Sequence, residues 1–284
     1  MSAPASSPSP RLVLLTGASS GIGRAAAVEL ARRGDVELLL VARRIDELER
    51  TIEQARTSTI GASVTMHAFA CDLTDPEDVD RLATHVQTHF GRLDALVNNA
   101  GAGSSHRFGS PEASGDADRM LALNLRAPIV LTQRLLPLLL SGDRPQIVNV
   151  SSAAGLVGTP ESPIYTATKW GLTGFSEALR AQLDPQGVRV VCVQPGPVPT
   201  PGWSHERVRA IPVVGRIVTC DAAAIARTID RAVRGRGGVN PVRPRIYGLL
   251  PLVRGLAPWA VRAALAQAAR GGMAQTATPR EGVR

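Results

Sequence analysis

The chain has almost no lysine: of 32 basic side chains in 284 residues, only Lys169 is one, and the rest are arginine. Aromatic residues are also scarce, at 3%, so a core must be assembled from Ala, Val, Leu and Ile. Cys71, Cys192 and Cys220 are odd in number, far apart and without a C-x-x-C spacing. They exclude a disulfide framework, give no metal site, and read as reduced, mostly buried thiols of a cytoplasmic protein. No apolar run reaches the roughly 18 residues a spanning helix needs; the nearest, residues 129–140, is broken by Gln133, Arg134 and Pro137. The net charge of +8 comes without any run of five or more basic residues and without interleaved aromatics, so nucleic acid is not an expected partner. Residues 1–10 are rich in Ser, Pro and Ala and lack a basic or apolar stretch. They read as a disordered tail and not as a signal peptide.

What is present is a repeating strand–helix pattern. Leu12-Val13-Leu14-Leu15 is a continuous apolar run, as a strand buried on both faces requires. It leads into Thr16-Gly17-Ala18-Ser19-Ser20-Gly21-Ile22-Gly23 and then a helical pattern over residues 24–33. A strand, a glycine-rich turn and a helix N-terminus in that order form a phosphate cradle, because the backbone approaches closely and unpaired N–H groups point outward. The second strand, residues 37–42, ends in Arg43-Arg44. An acidic residue at this distance would bind an adenosine ribose 2′-hydroxyl; two guanidinium forks suit a 2′-phosphate instead, so NADP(H) is favoured over NAD. Further strands are expected at 63–70, 95–97, 146–150 and 189–194, and helices at 45–56, 76–90 and 120–140, with another running through Tyr165 to about 183. Asp72 is placed to meet an adenine amino group, and Asn98-Asn99-Ala100-Gly101 permits close approach of a cofactor. Asn98 reads equally as a tie between strands. The pattern predicts an α/β Rossmann-type fold, a doubly wound parallel sheet with helices on both faces. No linker divides residues 11–235, which read as one NAD(P)-binding catalytic domain.

Tyr165 and Lys169 are one helical turn apart. A tyrosine with a reference pKa near ~10 can donate a proton unaided but needs help to accept one. An ammonium about 5 Å away at an effective dielectric of about 20 supplies roughly 3 kcal/mol, or about two pKa units. Lysine's compact charge can reach both a ribose and the phenol, which accounts for the lone lysine.

Taken together, TGASSGIG (16–23), Asp72, NNAG (98–101), Asn124, Ser152, YTATK (165–169) and PGPVPT (195–200) resemble the classical short-chain dehydrogenases/reductases over roughly residues 12–200. The resemblance implies hydride transfer between NAD(P)H and a carbonyl or alcohol. It implies Tyr165 as acid/base, Ser152 as donor to the substrate oxygen, Lys169 as tyrosine-tuning and ribose-binding group, and Asn124 as support for a proton-relay water. Ser152 and not Ser151 matches, lying thirteen residues before Tyr165. The cofactor set it implies adds Leu73, Pro195, Gly196, Val198 and Thr200 to the cradle residues Gly17, Ser19, Ser20, Gly21, Ile22 and Gly23, to Arg43 and Arg44, and to Asn99, Ala100 and Gly101. Thr168 stands where the family commonly has serine, and Trp170 where it has a small residue. A homodimer or homotetramer is implied through the helices starting near 120 and 165.

The pocket segments implied by the family (153–157, 160–164 and 196–216, with Trp203) are mainly apolar, which favours a hydrophobic ketone, aldehyde or secondary alcohol. Arg207, Arg209 and Arg216 would alternatively meet an acyl-thioester phosphate or face water. The competing function is a non-catalytic NADP-binding sensor or scaffold; such relatives normally lack a member of the Asn-Ser-Tyr-Lys set, and none is missing here. After a helix at 221–234, residues 236–270 form an amphipathic extension carrying Trp259 and arginines. It is either a flap over the cleft or on a sister subunit, or a segment for peripheral membrane contact through 243–270. Residues 271–284 read as a disordered tail.

Overall fold

Continuous apolar strands demand cover on both faces, and that requirement sets the architecture. A computed structural model describes residues 10–59, 64–103, 108–111, 113–160, 162–198 and 219–276. Strands β1 (Arg11–Thr16), β2 (Val36–Ala42), β3 (Met66–Ala70), β4 (Ala95–Asn98), β5 (Gln146–Val150), β6 (Arg189–Pro195) and β7 (Val242–Arg243) form one seven-stranded sheet. Its order is β3-β2-β1-β4-β5-β6-β7, and every pairing is parallel. The chain reverses direction of travel across the sheet between β1 and β4, the switch point at which such sheets open a crevice.

Alternate strand residues feed two cores. Val13, Leu15, Leu38, Leu40 and Val97 pack against helices α1 (Gly21–Ala31), α2 (Ile45–Ser58) and the later helix Ala222–Val233. Leu12, Leu14, Leu39, Val41 and Leu96 pack against α3 (Pro76–His89) and a long helix ending at Leu140, with Leu183 closing that side. Small residues on α1 (Ala26, Ala27, Ala31) let that helix lie close to the sheet, which is how an aromatic-poor sequence still fills its core.

The third strand starts at Met66, later than residue 63; residues 60–63 lie outside those described. The helix expected at 120–140 differs more. It comprises α4 (Ala113–Leu121), a π-helical turn over Ala122–Arg126, and α5 (Ala127–Leu140). The cause is Pro128. It has no N–H to offer the Asn124 carbonyl four residues earlier, and its ring crowds that carbonyl. The helix widens there, and the Ala127 N–H bonds back to the Ala122 carbonyl.

Helix α6 (Pro163–Leu183) carries Tyr165 and Lys169, and α7 is Ala222–Val233, capped by the Asp221 carboxylate on the Ala224 N–H. The sheet continues past residue 235, because β7 lies within the segment read from sequence as a separate extension. The rest of that segment is a 3₁₀ turn (Arg245–Leu249), α8 (Leu250–Leu256) and α9 (Pro258–Thr276). No single described helix is long and apolar enough to cross a membrane. The tail expected at 271–284 is corrected in part, since residues 271–276 continue α9. Residues 1–9 and 277–284 fall outside the described residues, as do Thr200, Trp203, Arg207, Arg209 and Arg216.

Asn98 is a tie. Its Nδ2 donates to Asn149 Oδ1 (2.9 Å) and to Thr132 Oγ1 (3.1 Å), while Asn149 Nδ2 donates to Ser176 Oγ (2.9 Å). Asn98 and Asn149 face each other across β4 and β5, so one buried amide pair joins both strands to α5 and α6.

Candidate active site

The glycine turn is built for a backbone approach. Gly17 has φ +67 and Gly21 φ +54, the left-handed region that favours glycine. A Cβ on Gly17 would stand 2.8 Å from the Ala100 Cα, and one on Gly23 would stand 2.1 Å from the Gly17 carbonyl oxygen. Ser20 occupies the N-cap position of α1 without a side-chain capping bond, and no acidic residue lies in the first turn. The leading N–H groups, including that of Ile22, are therefore left for an anion, which the helix dipole also attracts. Arg24 braces the turn, bonding the Ser19 carbonyl, Thr51 Oγ1 (3.0 Å) and the Glu47 carboxylate (2.5 Å).

Next to the turn, Thr16 Oγ1 accepts from the N–H groups of Asn99 (3.0 Å) and Ala100 (3.1 Å) and donates to the Val97 carbonyl. Asn99 Nδ2 donates to the Thr16 carbonyl (2.9 Å). One buried hydroxyl thus fixes the end of β4 against the end of β1. The sequence reading missed Thr16; its signal was a hydroxyl closing an otherwise apolar strand.

Arg43 and Arg44 are exposed at the end of β2. Asp72, after β3, accepts from the Thr74 N–H (2.9 Å) and Thr74 Oγ1 (2.7 Å). Burial pushes the Asp72 carboxyl upward, but these two bonds and the charge of Arg43 outweigh it and hold the group below its usual value. The charge of Arg43, just after β2, thus reaches Asp72, just after β3, and Leu73 next to it in the chain is buried.

The second group of residues converges on Gly101. A Cβ there would lie 3.3 Å from Asn124 Oδ1 and 3.6 Å from Lys169 Nζ. Asn124 is 1% exposed, and its side chain grips the loop after β4: Oδ1 accepts from the Ala102 N–H and Nδ2 donates to the Ala102 carbonyl, both at 2.8 Å. With the side chain committed and Pro128 unable to donate, the Asn124 backbone carbonyl in the π-turn lacks its usual helical partner. Pro128 was visible in the sequence and went unread.

Ser151 and Ser152 do different things. Ser151 Oγ donates to the Lys169 carbonyl (2.9 Å) and shares a hydrogen bond with Thr173 Oγ1 (2.9 Å). Ser152 Oγ accepts from the Ala154 N–H (3.1 Å) and makes a long contact to the Pro195 carbonyl (3.5 Å), and its hydroxyl lies near enough to Tyr165 to pull that phenol down. Gly155, three residues on, has no room for a Cβ against Thr173 Oγ1 (2.6 Å) and the Lys169 carbonyl (2.8 Å), so this loop lies flat on α6.

Lys169 is 4% exposed, donates to the Val150 carbonyl (2.9 Å), and has its Nζ 5.6 Å from the Tyr165 ring centroid. Burial pulls its ammonium down to about 8, with Cys192 opposing weakly. Tyr165 corrects an expectation. Burial pushes its phenol above the usual range, Ser152 pulls it back only in part, and the anticipated depression by the ammonium does not appear. Desolvation of the half-buried phenol exceeds the pull of Ser152, while Lys169 is fully buried beside it. The result is a protonated phenol beside a lysine whose ammonium, though pulled down to about 8, keeps its proton at neutral pH.

Pro195 ends β6; the Gly196 N–H bonds the Arg243 carbonyl (2.5 Å), and Val198 is buried. The C-terminal helices reach the same mouth: Arg254 stacks over Trp170 at 4.4 Å and donates to the Leu156 carbonyl (3.2 Å), and a Cβ on Gly158 would touch Leu265.

A seven-stranded parallel sheet with a glycine cradle at its switch point and a Ser–Tyr–Lys cluster beside it is matched by a family model. Residues 11–209 fit the short chain dehydrogenases, and the chain belongs to that oxidoreductase family. Sepiapterin reductase from Chlorobaculum tepidum is 38% identical over 205 residues, covering 68% of this chain and 79% of the relative. An 11-beta-hydroxysteroid dehydrogenase 1A from Arabidopsis thaliana is 39% identical over 186 residues, covering 66% of this chain but 52% of the relative. Among solved structures, a Sphingobium yanoikuyae short-chain dehydrogenase in complex with NADPH superposes with TM-score 0.68 at 28% identity, covering 96% of this chain and 98% of that one. A metagenomic short-chain oxidoreductase in complex with NADP gives TM-score 0.64 at 29% identity, covering 81% and 96%.

Proposed function

We propose that the protein is an NADPH-dependent reductase of hydrophobic ketones or aldehydes, with Tyr165 as proton donor. The observation that carries this reading is the placement of Tyr165, with its ring centroid 5.6 Å from the Nζ of buried Lys169 and its phenol under the influence of Ser152. The solved relatives that hold NADP or NADPH support the cofactor, as do the exposed Arg43 and Arg44 at the end of β2. When bound, the nicotinamide supplies the hydride.

The residues then divide the work. Gly17 to Gly23 receive the pyrophosphate, Arg43 and Arg44 the 2′-phosphate, and Asp72 and Leu73 flank the adenine. Asn99 to Gly101, Pro195, Gly196 and Val198 line the nicotinamide half. As a carbonyl carbon accepts hydride its oxygen gains charge; Ser152 donates a hydrogen bond to that oxygen and Tyr165 transfers its proton to it. Lys169 returns charge and a proton toward the phenolate, with the Asn124 carbonyl holding the water between them and solvent. Leu156 and Val157, with Pro160, present apolar surface to the substrate. The relatives named for sepiapterin and for an 11-beta-hydroxysteroid disagree on substrate, so the reaction class carries over and the molecule does not. Pairing into a homodimer or homotetramer belongs to the same reading, supported by Leu121 and Leu140 standing exposed on the α4–α5 helix.

The test is a panel of ketones, aldehydes and secondary alcohols, followed by nicotinamide absorbance with NADPH and with NADH. Turnover of an apolar carbonyl with NADPH is expected, falling by about 10²–10⁴-fold in Tyr165→Phe. Turnover surviving unchanged in that variant would remove Tyr165 as the acid.

A further inference from the structure

Nearly all of the net charge lies at one end of the chain. Residues 236–284 hold eight arginines against the single Glu281, whereas residues 1–235 hold 24 basic and 23 acidic side chains. Four arginines converge on one cavity of about 440 Å³: Arg231 and Arg236 from the end of α7, and Arg243 and Arg245 from β7 and the residue pair after it. No carboxylate lines the cavity. None of the four makes an ion pair among the described residues, and the charges of Arg231 and Arg245 add to burial in lowering the Arg243 guanidinium. Four unpaired forks around one space fit the oxygens of a phosphate group.

From this cavity wall the chain passes directly into an apolar run. Ile246, Leu249, Leu252, Val253, Leu256 and Trp259 are 40–77% exposed. Helices α8 and α9 meet at a bend of 116°, too sharp for a straight span. The segment is seated on its inner side, where Arg254 and Leu265 meet Leu156, Trp170 and Gly158. The apolar residues have no such seat.

A free phosphorylated metabolite would account for the cavity but not for the bare leucines. A second copy pairing through this face would bring two strongly positive segments together. Nucleic acid would leave the aliphatic side chains unused. An anionic bilayer uses both features, since phosphates neutralise the arginines while leucine and tryptophan enter the boundary between headgroups and acyl chains. We propose that the C-terminal segment seats the protein on an anionic phospholipid surface, with a headgroup phosphate in the Arg231–Arg236–Arg243–Arg245 cavity and the Ile246–Trp259 run in the interface. This inference does not depend on the reductase reading.

The experiment is co-sedimentation of the full chain with vesicles of phosphatidylglycerol and phosphatidylcholine, and with phosphatidylcholine alone. Binding is expected only with the anionic vesicles, weakening as salt rises. The double variants Arg243→Ala/Arg245→Ala and Leu249→Glu/Leu252→Glu are each expected to lose about tenfold or more of the binding, with NADPH affinity and thermal midpoint unchanged. Absence of binding to anionic vesicles, or equal binding by both double variants, overturns the proposal. So does saturable binding of glycerol phosphate by a protein that ignores vesicles, which assigns the cavity to a soluble anion. Sedimentation as a dimer that the leucine variant dissociates, without vesicle binding, assigns the face to a second copy.

Discussion

Asn124 Nδ2 donates to Thr168 Oγ1 over 3.2 Å, and Thr168 Oγ1 in turn donates to the Tyr165 carbonyl over 2.8 Å. The π-turn and the first turn of α6 are thereby one hydrogen-bonded unit. Replacing Thr168 by valine leaves a buried amide donor without its partner, a cost of about 1–3 kcal/mol. We expect Thr168→Val to lower kcat by about tenfold or more while the Kd for NADPH holds; Thr168→Ser should restore it. A valine variant with wild-type kcat would show the link to be incidental.

The two adjacent serines should separate cleanly. Ser152→Ala is expected to lose about 10²-fold or more in kcat/KM with the thermal midpoint unchanged. Ser151→Ala removes hydrogen bonds worth about 1 kcal/mol, so its midpoint should fall by about 2–4 °C with most of the activity kept. Calorimetry and steady-state rates on both variants check this. The reverse pattern would reassign the donor to Ser151.

Lys169 should cost stability. Its folded pKa, about 8, lies below its ordinary 10.5. Across that window the unfolded chain holds a proton the folded chain has released, so stability rises with pH, and below about pH 8 the full cost is carried. Lys169→Met should therefore gain on the order of 3 kcal/mol at pH 7, with the gain shrinking as pH approaches 10.5, while activity is lost. Melting curves of the NADPH-free proteins at pH 7 and pH 10 decide it. A methionine variant less stable at both pH values would contradict the assignment.

Arg43→Asp should weaken NADPH by about 10–100-fold, the worth of charge-assisted hydrogen bonds to a phosphate, and leave NADH the same or better. Titration of both nucleotides by fluorescence measures this. Equal loss for both would mean that Arg43 serves the fold and not the 2′-phosphate.

Much of this was legible beforehand because it rests on local rules. Apolar runs marked six of the seven strands, glycine spacing marked the cradle, and the Tyr165–Lys169 spacing marked one helical turn. What escaped was non-local or energetic. β7 has two residues, Val242 and Arg243, and no periodicity can signal so short a strand. The π-turn followed from Pro128 acting on a carbonyl four residues earlier, an effect that apolar patterning does not register. The phenol is raised where the neighbouring ammonium was expected to lower it, because desolvation, invisible in the sequence, exceeds the pull of Ser152.

The Asn98–Asn149 pair has a consequence for folding fidelity. Parallel strands as uniformly aliphatic as β4 and β5 could slide past one another with little loss of hydrophobic contact, since every register buries similar side chains. The paired amides make such a slide expensive: displaced by one residue in either direction, Asn98 would be set opposite a valine of β5 and the buried amide pair broken, at about 1–3 kcal/mol for each group stranded. The central strands therefore carry a proofreading step against mispairing, placed at the ends that open onto the cofactor cradle and the Ser–Tyr–Lys cluster, where a register error would do most harm.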